Sequence, residues 1–229
     1  MSARDGTIGA RAAILGKIRR QLGVTAEDPK RNAAVDARLT RAPKGVVPAR
    51  GQLDAAGRIA LFTEKMEKAS ASVARVTNVE AIPTAVAEYL RAHNLPAAVR
   101  MGEDALLNAL PWQKTSIEVS HGASEGSDAV GLSHAVAAVA ESGTLVLTSG
   151  ADNPTTLNFL PATHIVAVEA AAIAGDFEAV WAQLRKRYGK GVLPRTVNMV
   201  SGPSRSADIE QKLQLGAHGP KDLHVIIVG

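Results

Sequence analysis

The segment TVNMVSGPSRSADIEQKLQLG, residues 196–216, holds the richest set of groups that could do chemistry. A run of strand formers reaches Ser201-Gly202-Pro203-Ser204-Arg205-Ser206, and a polar stretch follows. The pattern predicts strand, loop, then helix. Ser204 or Ser206 would cap that helix. With Ser206 at the cap, Asp208 falls in the first turn, where the helix dipole favours a carboxylate. Asp208 and Lys212 are then four apart, acid before base, which supports the helix. Gly202 lets the backbone come close, the unpaired N–H groups of the helix start point outward, and Arg205 supplies a planar donor for a carboxylate or phosphate. The same residues also describe a well-capped helix with a surface arginine, and both readings stay open. This is not a Walker loop, because the G-x-x-x-x-G-K pattern is missing.

Two shorter segments carry weaker signals. In Leu215-Gly216-Ala217-His218-Gly219-Pro220, Gly216 and Gly219 flank a histidine in a turn before a strand. Such a His218 could act as a general acid or base, or simply cap the preceding helix. In Ala140-Glu141-Ser142-Gly143-Thr144, a carboxylate sits beside a glycine turn. Glu141 could be a buried acid of catalytic use, with Ser142 and Thr144 donating to an oxyanion, or the turn could be a solvent-facing hairpin tip. His164 and His224 lie in apolar runs and read as structural. His121 and His134 fall in HGASEGSDAVGLSH, a Gly/Ser-rich stretch that reads as a mobile loop. No H-x-x-x-H spacing and no histidine–carboxylate cluster is evident, so no metal site is expected.

The elements that must position these groups alternate. Ile8–Leu22 has the spacing of an amphipathic helix stopped at Gly23, and Pro43, Gly45, Pro48 and Gly51 make residues 41–52 a linker. Helices are expected at Leu53–Ala69, Glu80–His93 (Pro83 in its first turn), Glu103–Ala109, Asn153–Leu160 and Asp176–Arg187, the last with Asp176 as N-cap and Gly189 beyond its end. Strands are expected at Ser72–Val76, Ala97–Arg100, Ser116–Val119, His164–Val168, Thr196–Val200 and Leu223–Val228. Val136–Thr148 reads as two apolar stretches joined at Ser142–Gly143. Strands alternating with helices predict an α/β fold with a mainly parallel sheet flanked by helices. Two parts are expected: a helical arm with its linker over 1–52, and an α/β domain over 53–229. Gly202–Ser206, Glu141–Thr144 and Gly216–Gly219 all fall at strand or helix ends, so they are expected to converge on one cleft.

Composition bounds the function. Aromatic residues are 3% of the 229 residues, so the core must be built from Ala, Val, Leu and Ile. There is no cysteine. That excludes disulfides, thiol catalysis, zinc–thiolate sites and a cysteine-ligated iron–sulfur cluster on these residues. Residues 1–50 carry 11 basic and 4 acidic side chains, a net of +7, while the remainder nets −3. The basic arm could dock on an acidic surface or simply be solvated, and its lack of interleaved aromatics argues against nucleic acid. No apolar run is long enough to span a bilayer and no secretory leader is evident, so a cytoplasmic location is expected.

Three stretches, AESGTLVLTS (140–149), LPATHIVAV (160–168) and SGPSRSADIEQKLQLGAHGPKDLHVIIV (201–228), resemble the LUD (lactate utilization) domain family. The family more often has threonine where this chain has Ser142 and Ser206, and both changes keep a hydroxyl. The resemblance implies a fold similar to the sugar-phosphate isomerase and CoA-transferase group, an α/β sheet with ligand loops at the strand ends, here preceded by the N-terminal helical arm read from the sequence. It implies a part in oxidising L-lactate to pyruvate beside two partner proteins that carry iron–sulfur clusters, with a small anionic ligand and no cofactor on this chain. On that reading Glu141 and His218 are the candidate catalytic groups, and Ser142, Gly143, Thr144, Gly202, Ser204, Arg205, Ser206, Asp208, Gly216 and Gly219 surround the ligand. Two alternatives stand beside it: a stand-alone enzyme acting on a sugar phosphate or CoA-linked acid, and a regulatory or scaffolding module.

Overall fold

A computed structural model describes residues 3–25, 27–189, 191–209 and 212–229, with backbone only at 3–8, 206–209 and 212–214. The chain divides into two compact units, Met1–Gly45 and Val46–Gly229.

The first unit holds α1 (Ala3–Leu22) and α2 (Pro29–Arg41). α2 was not anticipated from the sequence. Asp28 caps it by accepting the N–H of Arg31, and Pro29 occupies its first turn, where no N–H is missed. Ile14, Ile18 and Leu22 lie four apart on α1 and are exposed, as are Val35 and Leu39 on α2.

The second unit is built on a six-stranded, wholly parallel sheet. Its strands are β1 (Ser72–Val76), β2 (Ala98–Met101), β3 (Glu118–His121), β4 (Val130–His134), β7 (Thr163–Glu169) and β12 (Asp222–Val228), in the order β1-β12-β7-β4-β2-β3. β7 and β12 read as continuous apolar runs because both their faces are covered. One face packs under α4 (Ile82–Ala92) and the one-turn helix α5 (Ala105–Asn108), burying Val130, Leu132, Ile165 and Ile226. The other packs under α3 (Ala55–Lys68) and a second sheet, burying Val166, Val168, Val225 and Ile227 against Phe62, Met66, Leu145 and Leu147.

The second sheet comes from the middle of the chain. β5 (Ala137–Val139) and β6 (Thr144–Thr148) pair antiparallel across the turn expected at Ser142–Gly143. β8 (Ile173–Ala174) joins β5, and β9 (Val197–Val200) joins β6. α6 (Phe177–Tyr188) covers the outer face, capped by the Asp176 carboxylate on the N–H of Ala179 and ending at Gly189, where φ is +93°.

Two expectations fail. No helix follows the Ser201–Ser206 loop. β10 (Arg205–Ile209) and β11 (Lys212–Leu215) pair antiparallel instead, so Ser206 does not start a helix and Asp208 lies in a strand. The two strands satisfy one another's backbone as a ribbon, and the i,i+4 pair did not outweigh it. The Gly/Ser-rich stretch 121–134 ends not in a loop but in β4, whose residues from Val130 to Ser133 are buried between β2 and β7. The helix expected at Asn153–Leu160 is present as a short 3-10 helix, Thr155–Asn158.

Candidate functional site

Two of the three segments singled out in the sequence, the Ser204 loop and the His218 turn, meet beside the start of β12. Gly202 takes φ +129°, a conformation that favours glycine. The Ser204 N–H donates to the Pro220 carbonyl at 2.8 Å, the Ser204 carbonyl accepts from the Gly216 N–H at 3.2 Å, and its Oγ accepts from the His218 N–H at 3.2 Å. The Ser204 loop and the His218 turn are therefore stitched together by main-chain bonds. Between them opens a cavity of about 230 Å³ lined by Asn158, Phe159, Met199 to Gly202, Ser204 and His218 to Pro220. A larger groove of about 500 Å³ lies elsewhere, between α3 and the β1 edge, and holds none of these groups.

Asn158 is the polar residue that sequence reasoning missed. It is 2% exposed and lines this cavity. Its Nδ2 has no hydrogen-bond partner, while its Oδ1 lies 3.4 Å from the Ser133 hydroxyl. Ser133 Oγ also meets His164 Nε2 at 2.9 Å. His164 is fully buried, and burial pushes its pKa down to about 4. Its imidazole is thus neutral, part of a polar seam between the two sheets.

The Glu141 turn reaches this loop through hydroxyls. Ser142 Oγ lies 2.7 Å from Thr144 Oγ1, which lies 2.7 Å from Ser201 Oγ. The Ser142 and Thr144 hydroxyls are therefore spent on one another and on Ser201. The Glu141 carboxylate is buried but lies away from the cavity lining, 3.1 Å from Arg50 Nη2, off the line of a good hydrogen bond. Its backbone N–H donates to the Gly175 carbonyl, and Gly51 and Gly175 pack face to face beside it. Gly143, at φ +63°, rests directly on Lys65 and Met66 of α3.

Arg205 is exposed, and its Nη1 donates to the carbonyls of Ser204 and Lys221 at 3.2 and 2.7 Å. It ties the loop to the chain entering β12. Gly216 holds φ +78° beside Lys221, and Gly219 faces Ser204 and Phe159. Gly202, Ser204, His218 and Gly219 thus gather at one cavity, and Glu141 does not join them. The side chains of Ser206 and Asp208 fall outside the described residues.

His224 is likewise held in the core. Its Nδ1 lies 2.8 Å from Ser72 Oγ, its ring stacks on Tyr89 at 4.1 Å, and burial with the nearby His93 lowers its pKa to about 4. Among the described residues no group of three His, Cys, Asp or Glu is placed to hold a metal, and no helix is long and apolar enough to cross a membrane.

The LUD domain model matches residues 59–228. A protein named lactate utilization protein C from Geobacillus thermodenitrificans is 38% identical over 100 residues, 43% of this chain and 42% of that one. The Bacillus subtilis protein of the same name is 37% identical over 100 residues, with the same coverage, and that of Halalkalibacterium halodurans 35% over 118 residues, 51% of each chain. The chain thus spans about two fifths of the length of the first of these relatives. The crystal structure of a DUF162 family protein from Deinococcus radiodurans is similar with a TM-score of 0.57 at 24% identity, covering 77% of this chain and 99% of that one, a likeness of fold.

Proposed function

This chain belongs to the LUD domain family, and from that premise we propose that it is a component of a lactate-utilisation system, binding a small carboxylate and carrying no electrons itself. The relatives are named for lactate utilisation. Oxidation of a 2-hydroxy acid to a 2-oxo acid releases two electrons and two protons, and these 229 residues contain no cysteine to ligate an iron–sulfur cluster. Partner proteins holding such clusters would take the electrons, while this chain holds or delivers the acid.

The observation that carries the reading is the buried, unpartnered amide of Asn158, a residue that lines the cavity beside Ser204 and His218. A buried donor without an acceptor costs about 1–3 kcal/mol, which a ligand oxygen would recover. Ser204 Oγ already accepts from the His218 N–H, so its own hydroxyl hydrogen remains to donate. The hydroxyl chain can run from Ser142 through Thr144 to Ser201, which leaves the Ser201 hydrogen free for the same ligand. A cavity of about 230 Å³ suits a three-carbon acid better than a CoA thioester.

Calorimetric titration of the full chain with L-lactate, pyruvate and inorganic phosphate tests this. We expect lactate or pyruvate to bind, and S204A and N158L each to weaken binding by roughly tenfold, about 1.4 kcal/mol. Binding of phosphate alone, or binding untouched by both variants, would overturn it.

A further inference from the structure

A second candidate site lies at the carboxyl ends of two strands of the main sheet, and it does not depend on the cavity described above. The chain leaves β2 to form β3 on one side, and leaves β4 to reach β7 on the other. β2 and β4 are hydrogen-bonded neighbours and run parallel, so the strand order reverses between their carboxyl ends. A crevice at such a reversal is where open α/β sheets take their ligands.

The carboxyl ends of β2 and β4 hold a histidine–carboxylate pair. His134 is the last residue of β4, and Asp104 lies in the turn after β2. His134 Nδ1 is 3.2 Å from Asp104 Oδ2, and the two side chains are 18% and 16% exposed. Asp104 is fixed from its other oxygen, Oδ1, which accepts the Leu107 N–H at 2.9 Å. Burial alone would raise the pKa of Asp104, but its bonds to His134 and to the Leu107 N–H outweigh that and lower it. An ionised Asp104 accepts a proton-bearing Nδ1, so the neutral ring carries its lone pair on Nε2, for which the described residues supply no partner.

The surroundings also limit what can approach. The loop 149–154 docks on the same turn: the Glu103 N–H donates to the Ala151 carbonyl at 2.8 Å, and Gly102 packs so closely on Asp152 and Pro154 that no Cβ would fit. Asn153 in that loop is 4% exposed, with its Oδ1 unpartnered. Glu103, Asp104 and Asp152 make the turn and loop acidic, while the nearby Arg100 is occupied by Asp128 and the His121 carbonyl. A second carboxylate or a phosphate is disfavoured there, and a neutral hydroxyl is not.

We infer that His134, oriented by Asp104, is the proton-accepting group of a separate ligand site at the β2–β4 crevice, which takes the hydroxyl of an uncharged polyol or sugar. Asp104 acts as a positioning residue and His134 as the contact. The sequence concealed this pair because its members are thirty positions apart and only the parallel sheet brings them together.

Asp104→Asn provides a clean test. Asparagine caps a helix as well as aspartate, so the Leu107 bond survives. Its amide would donate to His134 Nδ1 and force the proton onto Nε2, the opposite tautomer. Nitrogen-15 spectra of the full chain should show His134 as the Nδ1–H tautomer and D104N as the Nε2–H form. Acylation of His134 by diethyl pyrocarbonate should fall by roughly tenfold or more in D104N, in keeping with loss of an oriented base. D-ribose or glycerol should shift the His134 Nε2 resonance saturably. An Nε2–H tautomer already in the unsubstituted chain, an unchanged acylation rate in D104N, or a resonance that answers to phosphate and not to ribose or glycerol would each overturn the assignment.

Discussion

Gly202 lies so close to Ala69, just past the end of α3, that a Cβ on Gly202 would come within 2.9 Å of the Ala69 Cβ and 3.0 Å of its carbonyl oxygen. Its φ of +129° disfavours any side chain independently of that contact. Gly143 repeats the relationship one turn earlier on the same helix, with φ +63° and Lys65 Cβ 2.6 Å from the built Cβ. Helix α3 is therefore the anvil on which both the Ser142–Gly143 turn and the Ser201–Ser204 loop are shaped. Each of G202A and G143A should lose about 2–4 kcal/mol, combining a positive-φ penalty with overpacking. Urea unfolding measures this, and a loss below the error of the method in both would mean that the loops do not bear on α3.

The hydroxyl chain makes a different prediction. Thr144 is 1% exposed and bonds to both Ser142 and Ser201. Thr144→Val keeps the shape and removes the oxygen, leaving two serines short of a partner. A destabilisation of about 1–2 kcal/mol is expected from the lost bonds. If Ser201 serves the ligand, T144V should also weaken lactate binding while Ser142→Ala, at the far end of the chain, changes it less. Equal effects of the two substitutions on affinity would show that the relay does not orient Ser201.

The last strand of the sheet was legible in the sequence because Asp222–Val228 is an apolar run covered on both faces and bounded by turn residues. The hairpin turn at Gly143 and the Asp176 cap were equally plain, since each rests on contacts within a few residues. What sequence missed depends on distant pairing. β4 lies in a Gly/Ser-rich stretch, and Gly131 is tolerated there because it faces Leu157 and Pro161 at close range. The bond of Arg205 to the Lys221 carbonyl was hidden because its partner is 16 residues away. Asn158 gave no signal at all, because its importance comes from a missing partner and not from its type or spacing.

Arg205 carries a prediction of its own. Its Nη1 bonds to two carbonyls on an exposed surface, so solvent competes for both. Arg205→Ala should cost no more than about 1 kcal/mol, at the low end for a charged donor. It should speed amide hydrogen exchange at Gly216 and Ser204, whose main-chain bond the guanidinium braces. Lysine at this position cannot reproduce a fixed planar donor, so R205K should behave like R205A in exchange. Loss of lactate binding with unchanged exchange would instead return Arg205 to a ligand role.

The two buried histidines set the acid limit of the fold. His164 and His224 both have pKa values pushed down to about 4 by burial, from an ordinary 6.5. Between those values the unfolded chain holds protons that the folded chain does not, so stability is full above pH 6.5 and falls as the pH drops toward 4. The decline amounts to about 3 kcal/mol for each histidine at the bottom of that window. Asp104 and Asp128, whose pKa values are lowered, push in the same direction at still lower pH. Urea midpoints at pH 7.5, 5.5 and 4.5 should therefore fall steadily, and H224Q should flatten the curve while lowering its plateau. A flat profile in the unsubstituted chain from pH 7.5 to 4.5 would mean that neither ring is held neutral in the folded state.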